Sequence, residues 1–146
     1  MYHYVECGLD NVWLSNGFVV KDTPYGEAVA ISDVAGLHRA IGKMVAEKSS
    51  PLTSAEFRFL RKELGLSQEN LAKILDNSSQ AVAKWEKGNK IPRAAERLLR
   101  GFFLEATTGE AGLMEGIKRI NELDHELHRL RLEFEGEWKQ DDKEAA

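Results

Sequence analysis

The stretch LSQENLAKILDNSSQAVAKWEKGNKIP, residues 66–92, decides the fold of the middle of this chain. Ser67 and Ser78 are each placed to cap a helix, because a hydroxyl just before an apolar-periodic segment can accept hydrogen bonds from the free amides of the first turn. Asp76-Asn77 makes the turn between the two helices, and Gly88 ends the second helix. Two short capped helices joined by a tight turn predict a helix-turn-helix.

Helices are also predicted on both sides of this motif. Thr53 and Glu56 have the spacing of a capping box, which indicates a helix before the motif. Pro92 suits the first turn of a helix after the motif, since its missing N–H is not needed there. Val82 and Trp85 share one face of the second helix of the motif, so Trp85 is assigned to the core.

The charge of the chain is divided by region. The formal net charge of the 146 residues is −4. Residues 1–52 carry 4 Lys/Arg against 6 Asp/Glu, residues 53–104 carry 10 against 6, and residues 105–146 carry 6 against 12. The middle is therefore a basic island between acidic flanks, which favours a polyanionic partner for this region.

The N-terminal region, residues 1–48, is predicted to be a small α+β domain with a hairpin or sheet and one helix. Asn16-Gly17 stands between two apolar runs and favours a tight type I′ hairpin, because both turn positions need positive φ. A second turn at residues 23–26 leads into another apolar run. Ser32 or Asp33 then caps a helix. Spacings of three and four place four apolar residues on one stripe of that helix: Val34, Leu37, Ile41 and Val45.

The C-terminal region, residues 110–140, is predicted to be one long amphipathic helix. Its apolar stripe is Leu113, Ile117, Ile120, Leu123, Leu127, Leu130 and Phe134. A helix of this length exceeds what so small a domain can cover, so the stripe is interpreted as a dimerisation seam. Packing onto its own domain and binding of a partner protein remain alternatives. With a helical domain at residues 53–106, the predicted class is α+β, mainly α.

Catalytic and metal-binding patterns are weak throughout the sequence. A single cysteine, Cys7, excludes an internal disulfide and a cysteine-rich zinc site. Cys7 with His3 lacks a third orienting residue for nucleophilic catalysis. His125 and His128 do not have the spacing of a zinc protease and are interpreted as a solvated helix face. We therefore predict no catalytic residue, no metal and no cofactor, and a protein that is not an enzyme.

Membrane and secretory signals are also weak. No apolar run approaches the roughly 20 residues of a membrane span, so no membrane partner is predicted. The first residues lack the basic and apolar regions of a secretory signal, which predicts a cytoplasmic protein.

Residues 53–106, and residues 66–92 above all, resemble the lambda-repressor-like (Xre) helix-turn-helix domain. The matching positions are Leu66-Ser67-Gln68, Leu71-Ala72, Ser78, Val82, Trp85-Glu86-Lys87-Gly88 and Pro92. The resemblance implies that the helix starting at Ser79 enters a DNA major groove. Base edges would then be read by Ser79, Gln80 and Lys84, because Gln suits adenine and Lys suits guanine. Phosphates would be held by Gln68, Ser78, Asn89, Lys90 and Arg93. Glu86 is expected to brace an arginine or a loop.

The expected function is sequence-specific DNA binding by a transcriptional regulator. The resemblance implies a homodimer that acts as an autorepressor on an inverted-repeat, palindromic operator. More weakly, the whole chain resembles the MqsA-type antitoxins, in which an N-terminal zinc domain holds a toxin. This chain lacks the zinc-binding cysteines of that family. The alternative is therefore an antitoxin that also binds and neutralises a protein toxin.

Overall fold

The structure, a computed structural model, describes residues 1–107 and 132–140. In this part of the chain the strands pair antiparallel with their sequence neighbours: β1 (Tyr2–His3) with β2 (Trp13–Leu14), β3 (Phe18–Thr23) with β4 (Gly26–Ile31), and β5 (Leu132–Phe134) with β6 (Trp138–Gln140). The helices are α1 (Val34–Glu47), α2 (Ser54–Glu63), α3 (Gln68–Ile74), α4 (Ser79–Trp85) and α5 (Arg93–Thr107). The predicted class, α+β and mainly α, is confirmed.

The helix starts follow the local capping chemistry. Thr53 and Glu56 form the capping box of α2, with the Glu56 amide donating to Thr53 Oγ1 at 3.1 Å and the Thr53 amide donating to Glu56 Oε1 at 2.8 Å. Asp33 caps α1 and accepts from the Gly36 amide at 3.1 Å. α5 begins at Arg93, so Pro92 lies just before its first turn rather than in it.

One hydrophobic core joins the N-terminal region to the helices of the predicted central domain. Tyr4, Leu9 and Leu14 belong to the same buried cluster as the cores of α1 to α5. No described helix is long and apolar enough to cross a bilayer. The division of the chain into domains at 1–48, 53–106 and 110–140 stays a prediction.

The segment between α1 and α2 is held in place by α5. Arg100 of α5 donates to the Lys48 carbonyl and to the Ser50 carbonyl, each at 2.5 Å. Gly42 of α1 faces the ring of Phe103 so closely that a β-carbon at position 42 would overlap the ring. α1 and α5 therefore pack with a glycine at their closest approach.

A second link runs from the first strand region to the end of α2. The buried Tyr4 hydroxyl hydrogen-bonds to His38 Nε2 at 2.8 Å, and His38 Nδ1 lies 2.5 Å from Glu63 Oε1. A carboxylate only accepts, so His38 donates from Nδ1, and in the neutral imidazole Nε2 accepts from the Tyr4 hydroxyl. Burial raises the pKa of the Tyr4 hydroxyl, which keeps it in this donor form.

The predicted hairpin at Asn16-Gly17 is wrong. β2 pairs with β1, and β3 pairs with β4, so the strands on either side of Asn16-Gly17 have different partners. A type I′ turn needs positive φ at both positions, but of these two residues only Gly17 has it, at 78°. The tight hairpin turn is instead at residues 23–26, where Thr23 Oγ1 accepts from the Tyr25 amide at 3.2 Å.

The predicted helix over residues 110–140 is wrong for residues 132–140. Phe134, taken as the last member of the apolar stripe, lies in β5 and packs on Trp138 of β6 at a ring distance of 5.4 Å. Gly136 has a φ of 76° in the turn between these strands, a conformation that ends a helix. The other predicted stripe residues lie outside the described residues: Leu113, Ile117, Ile120, Leu123, Leu127 and Leu130.

Candidate nucleic-acid interface

The two central helices and their turn are fixed by hydrogen bonds of the predicted kind. Ser67 Oγ accepts from the Asn70 amide at 3.0 Å, and Ser78 Oγ accepts from the Ala81 amide at 3.1 Å. Between them Asp76 adopts a left-handed conformation with a φ of 53°. Glycine takes this conformation without steric cost, whereas aspartate takes it with some backbone strain.

The inner face of α4 anchors the helix to the core. The side chain of Val82 is fully buried, and Trp85 is 7% exposed. The Trp85 ring meets Phe57 of α2 edge-on, with centroids 5.9 Å apart and an interplanar angle of 82°. Trp85 is therefore a core residue, as predicted, and it sets the rotation of α4 about its axis.

The outer face of α4 carries the three predicted base-reading residues. Ser79, Gln80 and Lys84 are all exposed. In the part of the chain that the structure describes, their side chains have no hydrogen-bond or ion-pair partner. Ser79 and Gln80 stand at the capped start of the helix, where backbone amides and the helix dipole make the potential positive, and Lys84 lies in the last turn. This face can donate and accept hydrogen bonds with an external polar surface.

A buried ion pair holds the end of α4 against α2. Arg61 Nε donates to Glu86 Oε2 at 2.6 Å, and Arg61 Nη2 donates to Glu86 Oε1 at 2.9 Å. Gln68 also contacts this ion pair, because its Nε2 donates to Glu86 Oε1 at 3.1 Å. Glu86 thus braces an arginine, as predicted. Gln68, a predicted phosphate ligand, is half-buried and is oriented by the same carboxylate.

Three of the remaining predicted phosphate ligands lie around a groove of about 640 Å³. Asn89, Lys90 and Arg93 line it and are exposed, facing the segment that precedes α2. Ser78 lies apart from this groove, at the start of α4, and its hydroxyl oxygen is already an acceptor in the helix cap. The predicted ligands thus fall into two groups, one at the starts of α3 and α4 and one at the start of α5.

Sequence reasoning missed several cations that line two grooves in the structure. Arg97 lines the groove at the start of α5. Arg58, Lys62 and Lys87 line another groove, between α2 and residues 6–8. The i, i+4 spacing of Arg58 and Lys62 on α2 is visible in the sequence, but the approach of Lys87 is a tertiary contact.

The weak catalytic and metal candidates do not assemble in the described residues. His3 Nε2 is 2.6 Å from the Asp10 carbonyl, and its ring stacks on Trp13 at a centroid distance of 4.1 Å. The Cys7 thiol points instead to the Tyr4 carbonyl at 3.8 Å. No group of three or more His, Cys, Asp or Glu residues within 1–107 and 132–140 could hold a metal. His125 and His128 lie outside the described residues.

Comparison with known protein families agrees with this geometry. The family model described as helix-turn-helix matches residues 57–96, so this part of the chain is a helix-turn-helix domain of the lambda-repressor-like (Xre) type. Domains of this family are DNA-binding regulatory domains, and the family is not one of enzymes. The predicted resemblance of the central region is confirmed. Comparison with curated proteins and with solved structures gives no match.

Proposed function

We propose that this protein is a sequence-specific repressor that reads its DNA operator with α4. The observation that carries the proposal is the pair of faces on this helix. Val82 and Trp85 fix the inner face in the core, while Gln80 and Lys84 stand free on the outer face. A rigid helix with free polar groups at a capped start fits the major groove of B-form DNA, which is wide enough to admit one helix.

The base-reading and phosphate-holding roles follow from the side-chain chemistry. The Gln80 amide can make a bidentate contact to adenine, the Lys84 ammonium can donate to guanine O6 and N7, and Ser79 can donate or accept. The phosphate ligands in this proposal are Gln68, Ser78, Asn89, Lys90 and Arg93. Their contacts would fix the register of α4 on the duplex without reading sequence.

We further propose that the protein acts as a homodimer on an inverted repeat and represses its own transcription in the cytoplasm. Dimeric helix-turn-helix proteins place two reading helices one turn of DNA apart, about 34 Å. The two-fold symmetry of such dimers is the reason that their operators are palindromic, and the spacing sets the distance between the half-sites. The predicted seam at residues 113–130 would supply the dimer contact.

Duplex selection tests this proposal. The protein is used to select preferred duplexes from a randomised pool, and the binding constant of the best one is measured for wild type, Gln80→Ala and Lys84→Ala. We expect an inverted repeat that binds two chains. Each variant should lose about 5- to 150-fold in affinity, which corresponds to about 1–3 kcal/mol for a specific base contact.

A matched control separates base reading from charge. Lys43→Ala removes an exposed cation of α1, away from the proposed interface, and should leave the binding constant of the selected duplex near wild type. Gln80→Ala and Lys84→Ala proteins that bind the duplex as tightly as wild type would refute the role of α4.

A second candidate function, that of an antitoxin, is favoured by the β3–β4 hairpin. This hairpin exposes Val19, Val20 and Tyr25, and Trp13 of the preceding strand is also exposed. Exposed apolar groups concentrated in one region are typical of protein-binding surfaces. We propose that this region could bind a protein toxin. Co-expression with the neighbouring reading frame and a pull-down test this, and a Val20→Asp variant that retains the partner would contradict it.

A further inference from the structure

A groove that no prediction had assigned lies beside the end of α4. Its walls are residues 6–8, one face of α2 and residues 86–88, and its volume is about 640 Å³. One wall follows directly on Trp85, the last residue of α4. The groove therefore lies at the carboxyl end of α4, the helix that carries the reading face.

The free charge in this groove is positive. Arg58, Lys62 and Lys87 line it and are exposed, and none of them has an ion-pair partner among the residues that the structure describes. Arg58 and Lys62 are four residues apart on α2, an arrangement of like charges that is unfavourable without a counter-ion. An anion in the groove would remove this repulsion.

The two carboxylates at the groove do not neutralise these cations. Glu6 accepts from the Tyr2 hydroxyl at 2.5 Å, and Glu86 is occupied by Arg61 and Gln68. Because Arg61 neutralises Glu86, Glu6 is the one carboxylate among the lining residues that opposes Arg58, Lys62 and Lys87, and the groove keeps a positive charge. The chemistry of the groove is that of a site for an extended polyanion rather than for a cation or an apolar ligand.

We propose that this groove, given the proposed function of α4, holds the sugar–phosphate backbone of the same DNA duplex. Charge complementarity favours phosphate groups, and the position of the groove at the end of α4 favours the phosphates of the duplex over those of a separate ligand. Arg58, Lys62 and Lys87 each neutralise a phosphate. Because residues 6–8 form one wall, the N-terminal region shapes this part of the DNA interface.

The salt dependence of DNA binding tests the proposal. Each phosphate contact contributes about 0.9 to the slope of log K against log salt concentration. Arg58→Gln/Lys62→Gln should lower this slope by about 1.8 and weaken specific and non-specific duplexes alike. Between 50 and 200 mM salt, the wild-type protein should therefore lose about 12 times more affinity than the double variant. Lys87→Gln alone should lower the slope by about 0.9.

The control is Arg39→Gln/Lys43→Gln, which removes two exposed cations with the same i, i+4 spacing on α1. It should leave the slope at the wild-type value. An unchanged slope in both groove variants, or an equal fall in the control, would overturn the proposal. Failure of the wild-type protein to bind any duplex would instead overturn the proposed function, so the two failures are distinguishable. Lys87 lies in a turn, so Lys87→Gln still tests the proposal if the double variant does not fold.

Discussion

Removal of Glu86 should destabilise the protein more than removal of any exposed carboxylate. The side chains of Glu86 and Arg61 are 3% and 9% exposed, and two hydrogen bonds of 2.6 and 2.9 Å join them. Glu86→Gln keeps the shape but leaves the Arg61 guanidinium as an uncompensated buried charge. Breaking such a pair costs about 3–5 kcal/mol. This is a large part of the roughly 5–15 kcal/mol that stabilises a typical domain.

A double-mutant cycle makes this prediction quantitative. Arg61→Met should also cost about 3–5 kcal/mol, since it leaves the Glu86 carboxylate buried and unpaired. Arg61→Met/Glu86→Leu removes both charges. It leaves the Leu66 carbonyl without the 2.8 Å hydrogen bond from Arg61 Nη1 and the half-buried Gln68 amide without its acceptor. An unsatisfied buried carbonyl costs about 1–3 kcal/mol. The double variant should therefore be more stable than either single variant.

Urea unfolding monitored by the fluorescence of Trp85 and the other tryptophans measures these free energies. A constant m-value would show that each change in midpoint reflects stability rather than a change of denatured state. Single-variant losses below about 1 kcal/mol, or losses that add within about 0.5 kcal/mol in the double variant, would refute the reasoning.

Other expected outcomes concern the packing of α1 and the turn before α4. Gly42→Ala should lower the unfolding free energy by about 1–3 kcal/mol, because the new β-carbon overlaps the Phe103 ring. Gly101→Ala in α5 has open space around it and should raise the unfolding free energy by up to about 1 kcal/mol. Equal effects of the two variants in urea unfolding would contradict the packing of Gly42 on Phe103. Ser78→Ala should cost about 1 kcal/mol by removing the α4 cap, and an unchanged midpoint would contradict this. Asp76→Gly should raise the thermal midpoint by relieving the left-handed conformation, and a lower midpoint would contradict this.

The central helices could be predicted because their signals are local. Thr53, Ser67 and Ser78 each cap a helix through an amide three residues later, so a short window of sequence contains the whole interaction. The burial of Trp85 follows from helical spacing in the same way. The structure confirms these caps and the burial of Trp85.

The pairing of β1 with β2 could not be predicted, because these strands meet across the intervening residues 4–12 rather than at a tight turn. Asn16-Gly17 has the composition of a hairpin turn, but β2 pairs with β1 and thereby leaves β3 to pair with β4. Near the C-terminus, Phe134 and Trp138 are spaced both for the apolar stripe of a helix and for an aromatic pair across two strands. Gly136 decides between them locally, with a positive φ that the stripe alone does not indicate.

Part of the proposed DNA interface could not be predicted from the sequence either. The outer face of α4 could be assigned from residue types at the start of one helix. The second basic groove could not, because it forms only when residues 6–8, α2 and the turn after α4 come together. Charge counting by region indicated that residues 53–104 were basic, without showing which cations lacked partners.

The reading role of α4 is tested by repeating the duplex selection with Gln80→Ala protein and comparing the preferred bases with those of wild type. If Gln80 contacts a base edge, its preference should disappear at one position in each half-site, while the preferences at other positions remain. An identical set of preferred bases for the two proteins would contradict base recognition by this helix.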